Sequence, residues 1–216
     1  MNKKNIPIVF FVLVLSWSVS MGQTKIGAFA GLNSSKLSGD APATGIYKNL
    51  MGGNFGAILD VKLGRSIYLS FQPSFSQEGT KISYDVKGEL DPVDSIKICL
   101  NYFSLPLLLK VTSTNQRFYA LTGFETGMLL NSSMDIGDQT GQDLDTEIAQ
   151  MNFAIHFGAG IRIPIGVPNL FVELRYSHGM LNLTNEPLNT NVIPRVKTTG
   201  FKVLAGIEIP LSKSNN

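Results

Sequence analysis

The sequence predicts an all-β fold, an eight-stranded antiparallel up-and-down transmembrane β-barrel, on three observations. Apolar residues recur at every second position in most segments after residue 23, and long and short connections take turns between those segments. Charged residues are only 16% of the 216, against about 25% in an ordinary globular protein. That deficit fits a wall facing hydrocarbon, and the length fits one domain.

The first segment reads differently. Lys3 and Lys4 precede an apolar run from Ile6 to Leu15, and Ser20-Met21-Gly22 follows. A positive start, a short apolar core and small residues before a cut make an export signal peptide over 1–22. The run is shorter than the roughly 20 residues a membrane helix needs, and no later stretch reaches that length. With Lys3 and Lys4 removed, basic and acidic residues balance, so no nucleic-acid partner is expected. Cys99 is the single cysteine, which excludes an intramolecular disulfide and a cysteine-cluster metal site.

Six strands are read directly from alternation, at 54–63, 67–78, 102–111, 152–163, 170–177 and 198–209. In 102–111, for example, Phe103, Leu105, Leu107, Leu109 and Val111 oppose Tyr102, Ser104, Pro106, Leu108 and Lys110. Two further strands complete the eight. Residues 24–32 carry Ile26, Ala28, Ala30 and Leu32 with Phe29 on the other parity, and 117–131 is apolar on both parities with Glu125 its single charge. Glu125 is expected to point away from lipid, with a β-bulge in its strand. The connections run long at 33–50, 80–96, 132–147 and 183–195, and short near 64–65, 112–116 and 164–169. An up-and-down barrel with loops on one side and tight turns on the other produces that rhythm. A Greek-key sandwich does not.

A soluble ligand-binding barrel alternates too, inside out. The composition of the polar face decides between them: Gly56, Gly158, Gly160, Gly200 and Gly206 stand among Ser, Tyr and sparse charges. A water-exposed wall would carry abundant Lys and Glu, whereas a narrow lumen favours small residues and charges that can pair. The apolar face is therefore expected to meet lipid. Closure satisfies every backbone N–H and C=O where no water is available.

The segments LSFQPSFSQEG (69–79), NYFSLPLLLKV (101–111), GFETGMLLNS (123–132), HFGAGIRI (156–163) and LRYSHGM (174–180) resemble the PorT-type outer-membrane β-barrel family of the Bacteroidota over nearly the whole mature chain. The resemblance implies an outer-membrane β-barrel domain over 23–216, with outer-membrane lipid as its surroundings. Some members of that family are linked to a secretion apparatus, so other envelope or secretion proteins are expected partners. The chain departs from the common pattern of an aromatic last strand residue, ending Ile209-Pro210-Leu211 and a polar tail.

The chemistry-bearing residues fall on the polar face. Asp60, Lys62, Lys110, Glu125, Arg162, Glu173, Arg175, Lys202 and Glu208 are expected to point inward as a paired structural network rather than an ion path, because eight strands enclose just enough space for side chains. His178 beside Ser177, with Asp135, Asp138, Asp143 and Asp145 on a loop at the same rim, is a candidate hydrolase or acyltransferase constellation without a nucleophile motif. The acidic run Asp135–Glu147 does not match an EF-hand, and Gly158-Ala-Gly160 lacks the strand-to-helix setting of a phosphate loop. The reading is a non-enzymatic barrel with long outer loops, no catalytic residue, no cofactor and no metal.

Overall fold

Alternation sends one residue of each pair inward and the next outward, so each strand must pair on both sides to satisfy its backbone. The computed structural model describes residues 24–39, 45–84, 96–136, 139–143, 148–183 and 196–211; the expected signal peptide, Asp138 and Asp145 lie outside them. The strands are β1 (Lys25–Gly39), β2 (Gly45–Lys62), β3 (Ile67–Phe71), β4 (Ser74–Tyr84), β5 (Ile96–Thr112), β6 (Phe118–Ile136), β7 (Gln139–Asp143), β8 (Met151–Pro164), β9 (Asn169–Gly179) and β10 (Val196–Pro210).

These make eight walls. β3 and β4 are one wall, both lying between β2 and β5. Its ladder breaks at Gln72-Pro73, where proline brings no N–H. β7 pairs only with the far end of β6. All pairings are antiparallel, and β1 closes the ring on β10, with Ala30 opposite Ala205 and Ala28 opposite Ile207. The bulge expected near Glu125's strand is present: Tyr102 pairs with Leu129 and Asn101 with Asn131, so Leu130 is passed over.

The expected long connections need correction. Much of 33–50 is strand, since β1 continues to Gly39 and β2 begins at Gly45, and β5 and β6 extend likewise at the same end. Their outward residues there are mostly polar, Ser34, Lys36, Ser38 and Lys48, with exposed Ile46 the apolar exception. The apolar–polar contrast stops where lipid stops, whereas backbone pairing does not. The short connections are tight, with Gly166 at φ +114° and Gln116 at φ +56° in two of them.

Outward stand rows such as Phe55–Phe75–Phe103, paired directly across β2, β4 and β5; Phe55 and Phe75 stack at 5.2 Å between centroids. The lumen is less uniformly polar than its sequence parity suggests. Phe29, Ile58, Phe171 and Leu204 form one buried cluster inside it, and Leu108, Tyr119 and Leu121 form another. The space for these rings comes from glycine. Tyr119 lies on Gly160 directly across β6–β8, and Phe171 on Gly206 across β9–β10. Nearer the loops, Leu37, Leu100, Tyr102, Leu183 and Val196 fill the bore.

Candidate functional site

Inward alternation on neighbouring strands brings charges of both signs into one dry interior. Among the described residues, the buried Lys, Arg, Asp and Glu side chains are Lys25, Lys110, Arg162, Arg175 and Lys202, against Asp60, Glu78, Glu125, Glu173 and Glu208. The signs balance.

At the short-turn end, Lys110 Nζ lies 3.1 Å from Asp60 Oδ2 and 3.6 Å from Glu208 Oε1. Arg162 Nε donates to Glu208 Oε2 at 2.8 Å, and Lys25 Nζ stands 4.0 Å from the same oxygen. Lys110 and Arg162 also lie over the Tyr119 ring, at 5.4 and 5.2 Å from its centroid. The Tyr119 hydroxyl donates to Glu173 Oε2 at 3.0 Å and so joins this group to the next. There Glu173 pairs with Arg175, whose Nη2 donates to Gln72 Oε1 at 2.8 Å. Nearer the loops, Lys202 Nζ is 3.1 Å from Glu78 and 3.3 Å from Glu125. His156 Nε2 approaches Glu125 Oε2 to 3.2 Å without hydrogen-bond alignment, and neither ring nitrogen has a hydrogen bond.

Eight of the nine residues expected in the lumen are buried there: Asp60, Lys110, Glu125, Arg162, Glu173, Arg175, Lys202 and Glu208. Lys62 is not. It is half-buried opposite Tyr68 in the last residue of β2 and makes no ion pair among the described residues, because at the rim its long side chain reaches water. Lys25 and Glu78 belong to the network and were absent from the expected set. Parity already placed Glu78 among inward residues; Lys25 also lies opposite Ile26, Ala28 and Ala30 in parity, but apolar Phe29 on the same parity blurred that signal.

Among the described residues the hydrolase constellation does not assemble. Ser177 and His178 are adjacent in one strand, so they take opposite faces: Ser177 is buried in the lumen, and His178 is half-exposed with its ring stacked on outward Tyr176. Asp135 instead pairs with Lys97 at 4.0 Å on the outer face. Ser177 does face His156 across β8–β9, but the hydroxyl does not bond the imidazole and His156 is wholly buried. Among the described residues no group of three or more His, Cys, Asp or Glu is placed to hold a metal. The Cys99 thiol is half-buried in β5.

Among the described residues the arrangement is a buried, charge-balanced network. At the short-turn mouth a recess of about 380 Å³ lies between Lys25, Arg117, Arg162 and Asn169; behind it Asp60, Lys110 and Glu208 are wholly buried.

No curated protein matches the chain. Among solved structures it is similar to Ail, the attachment invasion locus protein of Yersinia pestis, with 15% identity, TM-score 0.46, and coverage of 87% of this chain and 99% of that one. It is similar to Neisserial surface protein A at 14% identity, TM-score 0.47, covering 86% and 96%. The outer membrane protease OmpT of Escherichia coli is a further match at 10% identity, TM-score 0.39, covering 88% and 97%. Residues 20–185 match the family model described as outer membrane protein beta-barrel domain. That match covers more than half of the chain, whose described strands close into a ring, and the chain belongs to the outer membrane protein beta-barrel domain family, with the outer membrane as its location.

Proposed function

We propose that the chain is a non-enzymatic, membrane-anchored interaction module, whose short turns face the periplasm and whose tall strands and loops face outward. The observation that carries this reading is the filled bore. Five cations and five carboxylates meet in a dry interior, with Asp60, Lys110 and Glu208 wholly buried, which supports a structural role for the nine-residue set apart from Lys62. Removing one member would leave its partner charged in a dry place, the costly outcome for buried pairs. The separation of Ser177 from His178 speaks against a barrel hydrolase or acyltransferase. The purified chain in planar bilayers should show no steady step conductance; large stable openings would defeat the reading.

The likeness of segments 69–79, 101–111 and 174–180 to PorT-type barrels favours a second reading, a secretion-apparatus component acting through its periplasmic turns or wall. Affinity isolation from detergent-solubilised outer membrane separates the two. Stoichiometric recovery of secretion subunits supports the second, and recovery without them supports the first.

A further inference from the structure

Above the apolar belt the outer face of the barrel carries a row of like charges in register. Lys48 of β2 lies directly opposite Lys81 of β4, and Lys81 directly opposite Lys97 of β5. All three are exposed. The row ends at Asp135 of β6, opposite Lys97 at 4.0 Å; Lys48 and Lys81 have no ion pair among the described residues. On the adjoining walls, outward Lys36 of β1 and Lys197 of β10 extend the band, Lys36 opposite Thr199 and Lys197 opposite Ser38. Five consecutive walls thus present lysine at the loop end, with one described carboxylate beside them.

Like charges facing one another across a ladder destabilise a sheet. Two successive such rungs, with no carboxylate paired to Lys48 or Lys81 among the described residues, favour an external polyanion. Its position follows from the face. The lysines share the outward parity of Phe75 and Phe103, so their partner lies beside the wall, in the leaflet, not above the mouth. Its depth follows from the strand: Lys48, level with Lys81, is about 10 Å beyond the exposed Met51 on the same face at about 3.3 Å per residue, or about 8 Å along the membrane normal at a tilt of about 40°. That is the headgroup level, about 5–8 Å per side, where a phosphorylated glycolipid presents its phosphates.

We propose that Lys36, Lys48, Lys81, Lys97 and Lys197 form a docking band for the phosphorylated saccharide headgroup of an outer-leaflet glycolipid. The identity of that leaflet rests on the outward orientation given under the proposed function; the charge, face and height do not. The band holds the lipid shell against one half of the barrel, β10 through β5, and leaves β8 and β9, which end lower, free for other contacts.

The test uses the full chain in nanodiscs containing phosphatidylcholine with lipopolysaccharide, with the same glycolipid after removal of its phosphates, or with phosphatidylglycerol. The readout is glycolipid or phosphatidylglycerol retained per barrel after detergent exchange. The combined variant Lys48→Ser, Lys81→Ser, Lys97→Ser should bind phosphorylated glycolipid on the order of a hundredfold more weakly, since each basic residue near an anionic surface contributes about fivefold. Lysine-to-arginine replacement at the same positions should retain binding, Arg65→Ser at the opposite rim should change nothing, and phosphate removal should act like the triple variant. Without glycolipid the triple serine variant should melt no earlier than the parent, which separates lost binding from lost folding. Equal retention by parent and triple variant, or equal retention of phosphatidylglycerol, overturns the proposal. Orientation is read independently by an impermeant thiol label on whole cells carrying Ala41→Cys and Cys99→Ser. Absent labelling together with lysine-dependent binding overturns the orientation alone.

Discussion

Lys110 of β5 and Asp60 of β2 meet across the lumen, Nζ to Oδ2 at 3.1 Å, with neither side chain exposed to water. β3 stands between their strands in the ring, so the contact braces the cylinder across a wall instead of along a ladder. Glu208 of β10 reaches the same ammonium at 3.6 Å, tying the closing strand into the brace.

Breaking this contact from one side is the severe case. Lys110→Met should destabilise the folded barrel by about 3–5 kcal/mol, because Asp60 is left as a buried unpaired carboxylate, while Glu208 keeps Arg162 and Lys25. Adding Asp60→Asn should recover part of the loss. Urea unfolding in lipid vesicles, followed by tryptophan-independent heat-modifiable gel migration, measures both. Equal stability of parent and Lys110→Met would remove the network from the account.

Gly160 is required by Tyr119. A Cβ at Gly160 would meet the Tyr119 ring and hydroxyl, and the ring cannot move without releasing Glu173 and exposing Lys110 and Arg162. Gly160→Ala should cost about 1–3 kcal/mol by overpacking. Tyr119→Phe in the same background should add little, since the displaced hydroxyl has already lost its partner. A double-mutant cycle in the same unfolding assay reports the coupling.

Position relative to lipid gives a graded outcome. Leu107→Lys, on the outward face of β5, should destabilise the barrel by about 2–4 kcal/mol if it lies near the bilayer midplane. Lys62→Ala, at the short-turn rim and outside the ion-pair network, should fall within about 0.5 kcal/mol of the parent. Comparable losses at the two positions would contradict the face assignment.

Which of these features were legible beforehand follows from what each face contacts. Phe103 to Val111 and Phe153 to Ile163 could be read directly, because lipid demands an apolar residue at every outward position and the lumen relaxes that demand at every inward one. The strand extensions at Ser34–Gly39 and Gly45–Lys48 were not legible, because above the membrane both faces meet polar surroundings and the contrast disappears. Phe29, Ile58 and Leu204 blurred the inward parity for another reason: a narrow bore is filled by volume as well as by charge, and Gly206 beside Phe171 makes the room. Eight of the nine lumen residues followed from parity alone, whereas their partners did not. Nothing in the spacing of Lys110 and Asp60 shows that the ring brings them together, and Lys62 shares their parity but ends at water. Ser177 and His178 illustrate the converse, since adjacency in sequence is separation by a sheet.

The closure of β1 on β10 is the claim on which the buried network and the lipid-facing wall both depend, and it is directly measurable. Ala30 and Ala205 are opposite one another and outward across that seam, whereas Ala159 lies on β8, two walls beyond β10. Ala30→Cys with Ala205→Cys, in a Cys99→Ser background, should cross-link within one chain in native membranes with a short bifunctional thiol reagent. The pair Ala30→Cys with Ala159→Cys should not. Linking of the second pair as readily as the first, or linking only between chains, would contradict a closed barrel.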